Sequence, residues 1–388
     1  MPSLKGQRLP LLRVFAQAAA IAVIAVPAFY AGTAASEELP KSTQAFLTQL
    51  KLSPDIMKGL DAELAVPQAW IDGAKTLPVV KVSGIEEAPL QAQMIKPFLE
   101  RYPFMKVDFQ RGSANERVVR PLLAFGEGRY LVDVAQSMNG SMGEFIRLNA
   151  AEDLSDLPTF KSVLPAAIAA NGRAVGFRAR AHCMSYNTNL IQKDQLPKTW
   201  AELPNSEALR GGHVGAVMLP QLWLTPLRGK YGEAWAVKYL DDFFVKLKPQ
   251  IRREGMNAAM NLVAAGENVV SLPAYGERIK ELQDKGAPIA FYCPDLVPLE
   301  MPKLAIFRGT PALFAAKLYV NWLLSKEGQI AQLAVYNGQS VHKDIQSAEF
   351  FPFPAEVLGK EVISFDDQPT IDKFVEIWNK YAITASPK

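Results

Sequence analysis

The sequence predicts an α/β protein in two lobes, each a mostly parallel sheet flanked by helices. Three observations predict it. At 388 residues the chain is too long for one ordinary domain and suits two. Hydrophobic residues make up 49%, enough to fill two cores, and charged residues only 21%, which excludes wholesale disorder. Short branched strands alternate with amphipathic helices in two separate runs, the pattern of parallel sheets.

The N-terminus is the sharpest local signal. Lys5, Arg8 and Arg13 form a basic start with no acidic residue before Glu37. An apolar run from Val14 to Tyr30 follows, then the small residues Ala31 to Ala35. That order describes a secretory signal peptide over residues 1–35, cleaved near Ala34 or Ala35. A membrane anchor is the alternative, since the run approaches spanning length; Pro27 and the small-residue exit favour cleavage. No cysteine near the exit offers a lipid attachment point. Removal of the leader takes three basic residues and lowers the net charge of +3 to zero, so charge gives no argument for nucleic acid binding.

Residues 36–75 read as a helical lead-in, with Ser53 as N-cap and Pro54 opening a helix. The first α/β run then begins and is assigned to lobe 1 over residues 76–178. Leu77–Val82 is a strand, broken by Ser83-Gly84, and Leu90–Tyr102 is a helix stopped by Pro103. Lys106–Gln110 is a second strand, and Gly112-Ser113 turns into a helix over 114–125, with Glu116 completing a capping box. Tyr130–Ala135 is a third strand, followed by Ser137-Met138-Asn139-Gly140-Ser141. Residues 150–173 connect to the strand-like run Ala174–Tyr186, which turns at Asn187-Thr188-Asn189.

The second run, over residues 179–292, is assigned to lobe 2. Val214–Leu219 is a strand with the exit loop 220–226. Helices are expected over 232–247 and 256–265. Val269–Leu272 is a strand leaving into Pro273-Ala274-Tyr275-Gly276, followed by a helix to Asp284. Ile289–Cys293 is strand-like, and Pro294, Pro298 and Pro302 read as punctuation. Residues 293–388 are assigned to a return to lobe 1, through a strand at 304–307 and helices over 312–324, 328–335 and 370–381. The last helix is left open to either lobe.

No P-loop, paired-histidine metal signature, nucleophile elbow or dinucleotide fingerprint occurs, and His182, His213 and His342 lack ligand spacing. The reading is therefore a non-enzyme without a cofactor. Cys183 and Cys293 are the only cysteines. In an oxidising compartment they could pair or stay as two buried thiols.

In sheets of this kind ligands sit beyond the carboxyl ends of the strands, where helix starts offer free N–H groups. Those ends here are Ser83-Gly84, Gly112-Ser113 and Ser137 to Ser141. Each could equally be ordinary capping and turn chemistry.

Several stretches together resemble the periplasmic solute-binding proteins of ABC importers, in the group of ferric-iron binders and their relatives for small organic and phosphorus-containing ligands. They are Trp70-Ile71-Asp72-Gly73-Ala74-Lys75 before the first strand, Arg111-Gly112-Ser113, and Gly128 to Val134. Met184-Ser185-Tyr186-Asn187-Thr188-Asn189-Leu190 with Leu196 to Leu203, and Asn321 to Gln329, match most closely. The resemblance implies the two-lobed type II binding-protein fold, with two crossing strands near Phe177–Met184 and Phe291–Pro302 and a ligand held by hinge closure. It implies periplasmic location, a small-molecule ligand, a permease partner in the inner membrane, no nucleic acid and a monomer. It also places Cys183 and Cys293 on the two crossings, where a disulfide is expected.

The family's ferric sites typically use two adjacent tyrosines with a His and a Glu. The matching loop here holds Tyr275 alone, and the first- and third-strand loops lack the His and the Glu, a poor set for ferric iron. Iron, through Tyr275, is thus the alternative reading, and a secreted enzyme or receptor-coupled sensor a further one. Arg178 and Arg180 alternate along the crossing and suit an organic anion. Trp223 and Tyr275 could wall the ligand. The expected binding set is Ser83, Gly84, Ser113, Ser137, Asn139, Arg178, Arg180, Trp223 and Tyr275. The plainer alternative leaves the arginines solvated on a strand edge and Trp223 in the core.

Overall fold

The computed structural model describes residues 38–113, 115–138, 142–364 and 368–385. The expected leader and Asn139 lie outside the described residues.

Lobe 1 is built on six strands. In chain order they are β1 (Val79–Gly84), β2 (Lys106–Arg111), β3 (Val134–Ala135), β4 (Ile168–Ala169), β5 (Ala174–Gly176) and, from far along the chain, Lys303–Ile306. β1 pairs in parallel with β2 and β3, and the late strand runs antiparallel between β3 and β5. β1 forms because Val80 and Val82 alternate inward and are fully buried. Beneath the sheet lies the helix Leu313–Leu324, apolar nearly all round and buried from Ala315 to its end. It packs on the helices Gln68–Thr76 and Lys326–Tyr336. Its buried Asn321 is satisfied: its side chain accepts from the Thr159 N–H at 3.1 Å and hydroxyl at 2.9 Å, and donates to the Glu63 carbonyl at 2.8 Å.

The stretch Ala174–Tyr186, expected as one strand, is three. After β5 come β6 (Arg180–Ala181) and β7 (Cys183–Asn187). The break has a local cause. The Phe177 carbonyl is taken by the side-chain amides of Gln329 and Gln332, each at 2.9 Å, instead of by a neighbouring strand. β7 enters a second sheet with β8 (Val214–Val217), β9 (Gln250–Arg252), β10 (Val270–Ala274) and β11 (Ile289–Tyr292), in the order β11-β7-β10-β8-β9. The β8, β9 and β10 pairings are parallel, and β7 is antiparallel to both its neighbours. This is lobe 2, with Trp200, Trp223, Phe243 and Trp378 at its centre.

The crossing is a small sheet of its own. β12 (Leu296–Glu300) pairs antiparallel with β6, Leu299 opposite Ala181 and Glu300 opposite Arg180. The chain then returns as the late strand of lobe 1, β13 (Lys303–Ile306). β12 was read as punctuation because of its prolines. Pro298 still serves the pairing as an acceptor, its carbonyl receiving the His182 N–H at 2.8 Å. On its other side β12 pairs in parallel with β14 (Glu361–Ile363). At the lobe 2 end Cys183 and Cys293 continue the β7–β11 register and are joined by a disulfide, Cα atoms 5.0 Å apart.

One expectation is corrected. The helix read over 90–102 divides into Ala88–Met94 and Lys96–Arg101, with Pro97 in the first turn of the second, where it cannot donate into a continuous helix. The sequence leaves the last helix open to either lobe. The helix Gln368–Ala385 buries Phe374, Trp378 and Ala382 in the core of lobe 2. A third passage, through residues 351–356, therefore also joins the lobes.

Candidate functional site

The carboxyl ends of β1 and β3 carry a buried polar floor. Ser83 donates to the Arg117 carbonyl at 2.9 Å. Arg117 comes from the one-turn segment Asn115–Val119 and is buried beside it. One arm of its guanidinium donates to the Gln136 carbonyl at 3.2 Å and to that of Ser137. Burial lowers the Arg117 pKa, and Glu86 partly offsets this. The Nε of Arg117 and the hydroxyl of Ser137 have no partner among the described residues. Ser137 holds a positive φ of 53°, so its backbone is bent to this position. Behind this floor, Tyr319 accepts from Gln91 at 3.2 Å and from Gln136 at 3.0 Å, and Tyr336 donates to Gln91 at 2.9 Å.

The crossing adds alternating charges. Arg178 is buried and paired with Glu86 at 2.6 Å, its guanidinium lying over the rings of Phe177 and Tyr336 at 5.2 and 5.6 Å. Arg180 turns to the other lobe. It lies 4.6 Å over the ring of Tyr275 and 3.6 Å from Glu277 Oε1. Burial pulls the Arg180 pKa down, but Glu277, Tyr275 and Glu300 outweigh it and the net shift is upward. His182 is fully buried, and its Nε2 meets Glu300 Oε2 at 3.1 Å. Burial raises the Glu300 carboxyl, yet the His182 hydrogen bond and the charges of His182, Arg180 and Arg178 hold it below the ordinary value. The two arginines are thus each tied to a carboxylate of a different lobe.

Lobe 2 contributes the start of the helix Gly276–Asp284 after β10. Tyr275 is half-buried and donates to Asn257. Burial and Glu277 raise its phenol above the usual range despite Arg180. Glu277 is 5% exposed, and neither carboxylate oxygen accepts a hydrogen bond among the described residues.

The expected set therefore divides. Arg180 and Tyr275 come together, whereas Ser137 belongs to the Arg117 floor of lobe 1. Ser83 is spent on Arg117, and Arg178 on Glu86. Ser113 is exposed and caps its own helix through Glu116. Gly84 is explained by its neighbours: a Cβ there would lie 2.6 Å from Glu86 and 2.8 Å from Phe109. Trp223 is corrected outright. It is fully buried, stacked on Trp200 at 5.5 Å and edge-on to Trp378 at 6.1 Å, a core ring rather than a ligand wall. Sequence reading missed Glu86, Arg117, Glu277 and Glu300. Glu277 had a signal, an acidic residue directly after the strand-exit Tyr275-Gly276, but helix starts favour acids for reasons of their own.

The family model for bacterial extracellular solute-binding proteins matches residues 93–352. The chain belongs to that family. Solute-binding proteins of this kind serve ABC importers, working with a membrane permease outside the cytoplasm. Among solved structures, iron-bound HitA from Pseudomonas aeruginosa superposes on 80% of this solute-binding protein and 99% of its own chain, at TM-score 0.61 and 18% identity. The Trichodesmium protein IdiA (FutA), in complex with iron and citrate, covers 80% and 100% at TM-score 0.63 and 15% identity. A putative extracellular solute-binding protein from Bordetella parapertussis covers 79% and 98% at 0.63 and 16%. These establish the two-lobed type II architecture. An uncharacterized Haemophilus influenzae protein is 27% identical over 162 residues, 40% of this chain and 45% of its own, so the match spans less than half of that relative. No helix among the described residues is long and apolar enough to cross a membrane.

Proposed function

We propose that this solute-binding protein captures a small organic molecule bearing an anionic group, closes its lobes on it about β6 and β12, and delivers it as a monomer to an inner-membrane permease. The observation that carries this is the pair of unpartnered donors on lobe 1, Arg117 Nε and Ser137 Oγ, held in place by the Gln136 and Ser137 carbonyls. Buried donors without partners are costly and suit an anion that supplies them. The remaining arginines support the reading less, because Arg178 and Arg180 already face carboxylates.

A second reading is a ferric complex, favoured by the hard oxygens of Tyr275 and Glu277 and by the iron held by HitA and IdiA, two proteins of like fold. Against a bare ferric ion, the Arg180 cation stands over the Tyr275 ring. A thermal-shift panel of organic acids, phosphate esters and ferric citrate separates the two. Organic anions should raise the melting temperature, and Arg117→Gln should weaken the effect by about tenfold or more in Kd. A shift from ferric citrate alone, unchanged in Arg117→Gln, would overturn the anion reading.

A further inference from the structure

We propose that Glu277 forms a subsite for a protonated nitrogen, so that the solute is a zwitterion or amine-bearing anion rather than a simple acid. The inference rests on the reading of the cleft as the solute site.

Three observations carry it. First, Glu277 is nine-tenths buried at a strand exit, yet both of its oxygens lack a hydrogen bond among the described residues. A buried carboxylate in that condition is costly, and a donor is what relieves it. Second, the cation paired with it among the described residues is Arg180, whose Nε stands 3.6 Å from Oε1, beyond hydrogen-bond distance. Arg180 is also shared with Glu300 and the Tyr275 ring, so it does not neutralise Glu277 alone. Arg278, the next residue, is turned away to Glu281 and Asn261.

Third, the orphaned polar atoms are of opposite kinds on the two lobes. Among the described residues, lobe 1 holds unpartnered donors on Arg117 and Ser137, and lobe 2 unpartnered acceptors on Glu277. A ligand that places its anion on Arg117 and Ser137 and its ammonium on Glu277 satisfies both sets at once.

The test uses matched pairs that differ by one amine: β-alanine against propionate, and phosphoethanolamine against ethyl phosphate. Thermal shift and calorimetric titration are run on the full mature chain, with Glu277→Gln, Glu277→Ala and Arg117→Gln. Urea midpoints confirm that the variants fold. In the wild type the amine-bearing member of at least one pair should bind about tenfold tighter than its partner. Glu277→Gln and Glu277→Ala should both erase that advantage while leaving the partner's binding unchanged. Equal binding within both pairs, no binding by either amine-bearing member, or an advantage that survives both Glu277 variants overturns the inference. If the simple acids bind and lose affinity in Arg117→Gln, the anion reading stands while this one falls. If only the amine advantage is seen and Arg117→Gln changes nothing, the subsite stands and the lobe 1 anion reading falls.

Discussion

The charged residues of the crossing have separable roles. Arg178 and Glu86 are both about 95% buried, so removing one partner strands the other. Arg178→Ala should cost about 3–5 kcal/mol of stability in urea unfolding, and the double change Arg178→Met with Glu86→Gln should recover most of it. Glu300 gives a pH dependence. Its folded pKa lies below the ordinary 4.5, so the stability it contributes is full above that value and is lost as the pH falls through the lowered one. Urea titrations from about pH 6 to about pH 3 should show that acid loss, and Glu300→Gln should flatten its lower limb.

The elements show which sequence signals were legible. The best-matched motif, Asn321 to Gln329, turns out to be a joint of lobe 1. Glu327 there is buried and receives Thr43 at 2.7 Å, Trp322 Nε1 at 2.8 Å and Arg101 at 3.0 Å. At Gly328 a Cβ would lie 2.2 Å from the Trp322 carbonyl oxygen, so only glycine fits. Likewise Thr199 and Glu202 form a reciprocal cap, and Trp200 Nε1 donates to the Leu296 carbonyl at 2.8 Å. Scaffold of this kind is written in local sequence, and so were β1, β2, β10 and the helix Leu313–Leu324. The site was not. Glu86, Arg117, Glu277 and Glu300 meet only after four separate segments fold together, and each alone reads as a solvated charge or a cap. β12 and β14 were hidden because their partners lie far along the chain. The disulfide belongs to this scale too. It closes a loop with a sequence separation of 110 that holds nearly the whole second sheet. Cys183→Ser with Cys293→Ser should lower stability by about 2–5 kcal/mol in urea, with lobe 2 amides losing hydrogen-exchange protection first.

For the whole molecule, three passages join the lobes: β6, β12 with its continuation into β13, and the tail beyond residue 350. Closure on a solute is then a rotation about a short, hydrogen-bonded seam. X-ray scattering should show the radius of gyration fall when a binding solute is added, and Arg117→Gln at the same solute concentration should show a smaller fall.

The interleaving of these passages has a consequence for how the chain comes to be folded. β13, from residue 303 onward, sits between β3 and β5, so the first sheet cannot be completed until three quarters of the polypeptide has emerged. The second core waits longer still, because Trp378 packs between Phe243 and Phe244 near the very end. Neither half can lock from its own contiguous stretch of chain. Contacts of such long sequence separation form slowly, so both lobes stay unlocked until nearly the whole chain is available.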